Sequence, residues 1–217
     1  EQSEPLEFNQ TGLVINEPDD NNLCVKAYHL LNKYTDLPHV KMHLHKQIPF
    51  GAGLGGGSSD GAHVLTVLNK LSTNPLREEQ LLEISIILGS DCPFFLMNKP
   101  CYATGRGERL QSIELNLSKY HLLLVNPGIH INTGKAYSQS TPKPSIHKLP
   151  SSVTKNIGDW RSIIQNDFEK VVFDLYPEIG AIKDGLYKMG AKYAAMSGSG
   201  STVYGIFMEK PDYDHLT

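Results

Sequence analysis

Residues 48–60 read Ile-Pro-Phe-Gly-Ala-Gly-Leu-Gly-Gly-Gly-Ser-Ser-Asp, and five of the seven positions from Gly51 to Gly57 are glycine. A backbone without Cβ atoms can adopt positive φ angles and approach a ligand closely, and its N–H groups can converge on an anion. The segment therefore predicts a phosphate-binding loop. The alternative is a flexible surface loop, but such linkers mix glycine with serine and polar residues, whereas this one contains a rigid Pro49 and an apolar Leu54.

The residues after the glycines predict a helix. Ser58, Ser59 and Asp60 are residue types that favour the N-cap position. Apolar residues then recur at helical spacing, at Ala62, Leu65, Leu68 and Leu71. We expect a helix capped by one of the three polar residues, whose unpaired N–H groups and positive dipole end would favour a bound phosphate.

Two familiar phosphate motifs do not fit this loop. The Walker pattern needs Gly-Lys followed by Ser or Thr, and residues 48–66 contain no lysine. The dinucleotide pattern is formally present at Gly51, Gly53 and Gly56, but it should leave a strand directly and lead through one helix to another strand. Here Pro49 interrupts the approach and a second helical segment follows the first. The loop therefore belongs to another class of phosphate site.

The composition and charge of the chain exclude several classes of protein. The chain has 217 residues, 40% of them apolar, and a formal net charge of −3. This content suffices for one large domain or two smaller ones, and the charge gives no basic surface for nucleic acid or anionic membranes. No apolar run reaches the roughly 18 residues that span a bilayer. Cys24, Cys92 and Cys101 are an odd number without metal-type spacing, which predicts a reduced, cytoplasmic protein.

The part of the chain before the loop predicts a strand, a helix and a second strand. The periodicity favours strand structure over residues 6–15 and 40–45 and a helix over residues 23–34. His43 and His45 share one face of the second strand, and no third metal ligand is near them in sequence. We therefore expect both to be solvated and predict no metal site.

The part after the loop helix contains an unusual acidic turn. A second amphipathic helix has its apolar residues between Leu81 and Leu88, with residues 77–80 in or before its first turn, and ends at Gly89. Asp91 then precedes the apolar residues 94–96. Asp91 is either a functional carboxylate or a residue that caps a short turn with its own side chain. Arg106, in a Gly-x-Gly turn, is either a phosphate contact or a solvated turn residue.

The second half of the chain begins with a dense β-type run. Residues 120–125 predict a buried central strand, followed by a turn at residues 126–128. A helix capped by Asn132 or Thr133 is expected next. Tyr137 in this helix could stack on a base, whereas periodicity alone suggests a core aromatic.

The remaining segments alternate connectors, helices and a second glycine turn. Residues 141–152, with three prolines, predict an exposed connector. Two helices over residues 166–189 are divided near Pro177, and Gly190 ends the second. The Gly/Ser-rich turn at residues 197–201 lies between two strands, and it is either a simple hairpin turn or a backbone contact for phosphate or hydroxyl groups.

Residues 49–60 resemble the glycine-rich ATP loop of the GHMP kinase superfamily. The three consecutive glycines followed by Ser-Ser-Asp resemble one branch, whose members phosphorylate a cytidine diphosphate-linked methylerythritol in non-mevalonate isoprenoid biosynthesis. Further matches follow in the family's order over nearly the whole chain, at residues 88–95, 125–128 together with Thr133 and Tyr137, 166–169, and 196–200.

The resemblance implies an α+β, two-lobed GHMP kinase fold. The N-terminal, ATP-binding domain, with a left-handed βαβ unit, would cover residues 1–115, and a ferredoxin-like C-terminal domain would cover residues 116–217. The implied cofactors are ATP and Mg²⁺, and the implied partner is a small-molecule substrate. No nucleic acid or membrane partner is expected, and we expect a monomer or weak homodimer.

The resemblance also assigns roles to residues. Asp91 would be the catalytic residue, and the substrate would be bound by Thr133, Tyr137, Gly198 and Ser199. The residues expected to bind ATP are Pro49, Gly51, Ala52, Gly53, Leu54, Gly55, Gly56, Gly57, Ser58 and Ser59.

One departure from the family pattern bears on activity. The family opens with a strand carrying Ala-Lys-Ile-Asn, followed by an Asp-Gly-Tyr-His segment, and neither occurs here. We therefore expect the leading strand of the first domain, and the catalytic lysine with it, to be missing from this chain. Two alternatives stay open: another GHMP-type kinase, mevalonate- or homoserine-like, and a catalytically incomplete nucleotide-binding fragment. The triple glycine and Asp60 argue against the first.

Overall fold

The computed structural model describes residues 6–15, 18–141 and 149–213. Its internal contacts divide the chain into two compact units. The first comprises Glu1–Phe50 and Gly55–Ser112, and the second comprises Gly51–Leu54 and Ile113–Thr217. The glycine loop is thus shared between the units.

The first unit begins with a β-α-β arrangement. Strand β1 (Leu6–Gly12) and strand β2 (Val40–Lys46) pair in parallel and are joined through helix α1 (Leu23–Leu31). The side chain of Asn22 accepts a hydrogen bond from the backbone N–H of Cys24, so the chain begins α1 at the predicted residue. Both β1 and α1 end three residues before their predicted ends, because periodicity does not show where a terminal turn departs from regular structure.

Three helices and a hairpin complete this unit. The helices are α2 (Gly56–Leu71), α3 (Glu78–Leu88) and α4 (Cys92–Met97), and β3 (Cys101–Thr104) pairs antiparallel with β4 (Arg109–Ser112). Gly89 caps the end of α3, as predicted. The apolar core joins α1, α2 and α3 through Ala27, Tyr28, Leu31, Leu65, Leu68, Leu81 and Ile84.

The start of α2 differs from the prediction. Its N-cap is Gly55, which has a φ of 65°, so Ser58, Ser59 and Asp60 lie inside the first turns and the predicted cap was wrong. The carbonyl of Gly55 accepts the N–H of Ser59 at 2.9 Å. Only a residue that tolerates the left-handed conformation allows the chain to enter the helix directly from the loop, so the helix begins earlier than side-chain capping indicates.

The second unit is built on a three-stranded antiparallel sheet. The strands are β5 (His121–Val125), β6 (Tyr193–Met196) and β7 (Val203–Phe207), in the order β5-β7-β6. The helices are α5 (Thr133–Gln139), α6 (Leu149–Ser152), α7 (Trp160–Ile163), α8 (Phe168–Leu175) and α9 (Pro177–Lys188). The division at Pro177 confirms the prediction, and Gly190, with a φ of 96°, follows the end of α9.

Apolar residues pack on both faces of this sheet. Residues of α5, α8 and α9, including Ala136, Val172 and Ile179, cluster with Met196 and Phe207. The alternate strand residues form a second cluster with α7, which contains Trp160, Tyr193, Ala195 and Ile206. The two clusters show why β6 is buried along its whole length.

Strand β5 is not the buried central strand that its apolar sequence predicts. It lies at the edge of the sheet formed by the described residues, and Leu122 and Leu124 are 60% and 48% exposed. Only Leu123 and Val125 pack against the core. A short apolar run does not reveal its place in a sheet.

The predicted connector at residues 141–152 lies partly outside the described residues, which omit 142–148. Its last four residues form α6. Among the helices that the structure describes, none is long and apolar enough to cross a membrane.

Candidate functional site

The first turn of α2 is an uncapped helix N-terminus. In the described part of the chain, no side chain accepts a hydrogen bond from its leading N–H groups, since the N-cap is a glycine. The first N–H groups of a helix have no partner within it, and the helix dipole gives this end a partial positive charge. The sixteen-residue α2 therefore presents free donors at Gly56, Gly57 and Ser58, which suits an anion.

A pocket adjoins this helix start within the first unit. Its apolar walls include Ile15, Leu23 and Phe50, and it reaches α2 at Gly57 and Asp60; the other lining residues are Gln10, Pro18, Asp19, Asn21, Asn22, Leu44 and Lys46. An apolar cleft with a few polar groups is the usual form of a small-molecule site. Sequence reasoning did not identify this pocket, because its residues come from four separate segments.

Lys46 and Asp60 form a largely buried ion pair at the edge of this pocket. Lys46 Nζ lies 2.5 Å from Asp60 Oδ2, and the Lys46 side chain is 3% exposed. The pair connects the end of β2 to the second turn of α2, so it spans the glycine loop. A sequence signal for it exists: the alternation of Val40, Met42 and Leu44 continues to Lys46 and places this lysine on the buried face.

Asp91 precedes α4, which packs against α2. It is the N-cap residue of α4, its side chain is exposed, and within the described residues it makes no hydrogen bond to the helix that it precedes. The structure therefore does not show the self-capping alternative. Helix α4 packs against α2, and the Phe95 ring lies against Gly55, where an added Cβ would lie 2.8 Å from it.

The thiol next to Asp91 is not a nucleophile. Burial raises the pKa of Cys92 to about 11; the Ser58 hydrogen bond lowers this pKa, and the Asp91 charge raises it further. Only the thiolate reacts as a nucleophile, so Cys92 stays protonated and inert at neutral pH.

Two of the predicted substrate residues, Thr133 and Ser199, meet at the start of α5. Asn132 caps α5 by accepting a hydrogen bond from the N–H of Lys135, so the first of the two predicted caps, Asn132 or Thr133, is confirmed. The hydroxyl groups of Thr133 and Ser199 are 3.1 Å apart. Contact between them joins α5 to the glycine turn at residues 197–201.

Tyr137 is 64% exposed, so the interpretation of this residue as a core aromatic is wrong. Its ring meets the Phe168 ring edge to face, with the ring centroids 4.8 Å apart. Phe168 thus supports one side of the ring and leaves much of it open to solvent. An exposed, supported ring is suited to stacking.

The glycine turn is held by side chains of α8 and the residues before it. Asn166 Nδ2 donates to the carbonyls of Met196 and Gly198, at 2.8 and 2.7 Å. The buried Glu169 accepts the N–H of Met196 at 2.8 Å and pairs with Lys183 at 2.5 Å. These contacts give a structural role to residues 166–169, which the sequence had marked only as a family match.

Residues 51–54 of the glycine loop pack on the same turn within the second unit. Ser197 Oγ donates to the carbonyl of Gly53 at 2.7 Å, and the N–H of Thr202 donates to the carbonyl of Ala52 at 3.2 Å. The loop that the sequence presents as one motif thus has its two halves fixed by different parts of the chain.

No group of three or more His, Cys, Asp and Glu side chains among the described residues could hold a metal ion. His43 and His45 are exposed, and each has a ring nitrogen 2.9 Å from Thr11 Oγ1. Arg106 is also exposed.

An uncapped helix start suits a bound phosphate. Residues 22–99 match the family described as GHMP kinases N terminal domain, and residues 146–215 match the family described as GHMP kinases C terminal. The chain belongs to the GHMP kinase family and is a small-molecule kinase, which confirms the predicted fold class.

Its relatives identify the branch. The 4-diphosphocytidyl-2-C-methyl-D-erythritol kinase of Parabacteroides distasonis is 43% identical over 206 residues, which are 95% of this chain and 76% of the relative. The protein of the same name from Azobacteroides pseudotrichonymphae is 47% identical, over 94% and 76%. A crystal structure of 4-(cytidine 5'-diphospho)-2C-methyl-D-erythritol kinase matches with a TM-score of 0.72 and 29% identity, over 93% of this chain and 72% of that one. The branch predicted from the triple glycine is confirmed.

Proposed function

We propose that the protein transfers the γ-phosphoryl group of ATP to the 2-hydroxyl of 4-diphosphocytidyl-2-C-methyl-D-erythritol, in the cytoplasmic non-mevalonate synthesis of isoprenoid precursors. The observation that carries this proposal is the uncapped start of α2 together with the packing of α4, which Asp91 precedes, against α2. The names of the relatives support the choice of acceptor.

The start of α2 is proposed to hold the phosphates of ATP. Phosphoryl transfer depends on positioning and charge stabilisation more than on covalent chemistry. The free N–H groups of Gly56, Gly57 and Ser58 and the helix dipole would supply both for the β- and γ-phosphates. The adjoining pocket, with Leu23 and Phe50 in its apolar wall, would take the nucleoside.

Mg²⁺ is proposed as a cofactor that neutralises charge on the phosphates when bound. The residues present fit such an ion, because Mg²⁺ in kinases is held by one or two carboxylates together with substrate phosphates. Asp91, which precedes α4, is an exposed carboxylate of the first unit. A cage of three or more protein ligands is not required.

Asp91 is proposed to accept or orient the proton of the attacking hydroxyl. An alcohol is a weak nucleophile at neutral pH, and a positioned general base contributes about 10²- to 10⁴-fold to the rate. Asp91 is free for this role, since its carboxylate does not cap α4.

The variant Asp91→Asn tests this proposal. We expect kcat to fall by about 10²- to 10⁴-fold, while the Kd for ATP, measured by calorimetry without Mg²⁺, stays unchanged because the helix start is intact. Glu83→Gln, at an exposed acid of α3, is the matched control and should behave as the unmodified protein does. A near-normal kcat for Asp91→Asn would show that the base is assigned wrongly.

A further inference from the structure

The turn of the β3–β4 hairpin lies directly against the Asp91 carboxylate. An added Cβ on Gly107 would lie 3.2 Å from Asp91 Oδ1 and 3.9 Å from the carbonyl oxygen of Ser90. Gly107 also has a φ of 112°, a conformation that L side chains rarely adopt. The turn at residues 105–107 therefore forms a wall beside Asp91 through Gly107, where a larger residue would be strained and would crowd the carboxylate.

The side chain of Glu108 holds this turn in shape. Glu108 Oε2 accepts the backbone N–H of Arg106 at 2.7 Å, and Glu108 Oε1 lies 4.0 Å from Arg109 Nε. The backbone N–H groups of Glu108 itself and of Arg106 lower the pKa of the Glu108 carboxyl, so it is ionised at neutral pH. A carboxylate that accepts backbone N–H groups makes a charge-assisted bond, which is stronger than a neutral one.

The turn has few other constraints. Among the described residues, its backbone bond is from the N–H of Gly107 to the carbonyl of Thr104 at 3.2 Å. Two of its three residues are glycines with positive φ, Gly105 and Gly107, and glycine has the largest conformational freedom to lose. Without the Glu108 carboxylate the turn would sample other conformations, and the wall beside Asp91 would move.

We propose that Glu108 is a positioning residue for phosphoryl transfer, which acts through the backbone of residues 105–107 to restrict the side chain of Asp91. This inference rests on the proposed role of Asp91. It assigns to Glu108 no contact with ATP or with the acceptor. The hairpin thus serves the chemistry of the first unit through its turn.

A double-mutant cycle tests the inference. A displacement of about 1 Å at a reacting group can cost about 10²-fold in rate, so Glu108→Ala should lower kcat between about tenfold and 10²-fold and leave the KM for ATP unchanged. In the Asp91→Asn background the same substitution should cost nothing further, since residues that act through one another are not additive. Glu108→Gln, which keeps an acceptor oxygen, should recover most of the lost kcat.

Controls separate the inference from folding and from the proposed function. Gln111→Ala, at an exposed residue of β4, should leave kcat unchanged. Thermal unfolding of each variant reports any loss of stability. If Glu108→Ala does not fold, the cycle is run with Glu108→Gln, for which we expect kcat to fall a few-fold. Losses that multiply with Asp91→Asn, or an unchanged kcat in both Glu108 variants, would overturn the inference alone. A normal kcat for Asp91→Asn itself would overturn the proposed role of Asp91, on which the inference rests, whereas the absence of turnover in the unmodified protein would overturn the proposed function.

Discussion

At the scale of the residue, Lys46 shows how a charged side chain can be built into the fold. It lies at the end of a strand whose inward positions are Val40, Met42 and Leu44, and its ammonium group meets Asp60 instead of water. A buried charge is tolerated only when it is paired and hydrogen-bonded. The pair therefore fixes the distance between the two ends of a loop that is rich in glycine.

Removing one member of this pair should destabilise the protein. Lys46→Met leaves Asp60 without its cation, and breaking a buried pair typically costs 3–5 kcal/mol. Because the Asp60 side chain is 29% exposed, we expect a loss near the low end, about 3 kcal/mol, in the free energy of unfolding by urea. Lys41→Met is the matched control: its pair with Glu7 is solvated, so the expected loss is below about 1 kcal/mol. Equal losses would contradict a buried role for Lys46.

Tyr137 should determine the affinity for the cytidine end of the substrate. Its exposed ring can stack on the base, and stacking of a base on an aromatic side chain is worth about 1–3 kcal/mol. Tyr137→Ala should therefore raise the KM for the cytidyl substrate by roughly tenfold, and Tyr137→Phe should keep it near normal. Tyr34→Ala, at another exposed tyrosine, serves as the control. An unchanged KM in Tyr137→Ala would contradict the stacking role.

At the scale of the element, the loop and the start of α2 act as one piece. Gly55 turns the chain into the helix and lies against Phe95 of α4. The same glycine thus sets the direction of the free N–H groups and the position of the segment that carries Asp91. A change at Gly55 should disturb both.

Gly55→Ala should weaken ATP binding as well as stability. A left-handed conformation costs an alanine about 1–2 kcal/mol, and the added Cβ would collide with the Phe95 ring at 2.8 Å. Gly190→Ala is the control, because Gly190 also has a positive φ but has nothing within 4 Å of the added Cβ. Calorimetry should show a raised Kd for ATP in Gly55→Ala alone. Equal losses of ATP affinity in both variants would show that backbone strain causes the loss and that the position of the glycine loop does not.

Sequence patterns predicted which helices and strands form better than they predicted where an element begins or how it packs. Periodicity gave α1, α3, α9 and β2 because each has one buried face. It failed for β5, since the exposure of Leu122 and Leu124 depends on which strands pair, and it failed at the start of α2, since the conformation of Gly55 follows from tertiary contacts. Asp91 was marked as a candidate catalytic residue only through resemblance, and neither the Glu108 contact nor the Lys46 pair follows from a motif.

At the scale of the whole molecule, both units bury ionisable groups that must stay neutral. Burial raises the pKa of Cys24 in α1 and of Cys92 in α4 from 9.0 to about 11. In the second unit, burial raises the pKa of Tyr193 and of Tyr204. The folded protein therefore holds these protons at pH values where the unfolded chain releases them.

The stability of the protein should decline in alkali. Below pH 9 both states hold the two thiol protons, so the stabilisation is fully present. Above pH 9 the unfolded chain releases them first, and the free energy of unfolding falls as the pH rises through about 11. Urea unfolding between pH 8 and pH 11 measures how the free energy of unfolding changes with pH, and a difference of one between the folded and unfolded pKa corresponds to ~1.4 kcal/mol. In the double variant Cys24→Ala/Cys92→Ala the free energy of unfolding should fall less steeply with rising pH. An identical slope would contradict the raised pKa values of the two thiols.

The proposed transfer of phosphate to the cytidyl substrate is tested most directly by phosphorus NMR of one reaction mixture. ATP, Mg²⁺ and the protein are combined with 4-diphosphocytidyl-2-C-methyl-D-erythritol, and with mevalonate or homoserine in parallel tubes. We predict that the γ-phosphate signal of ATP is replaced by a phosphomonoester signal on the 2-hydroxyl of the cytidyl substrate, and that the other two alcohols stay unmodified. Transfer to mevalonate or homoserine at a comparable rate, or consumption of no ATP with the cytidyl substrate, would contradict it.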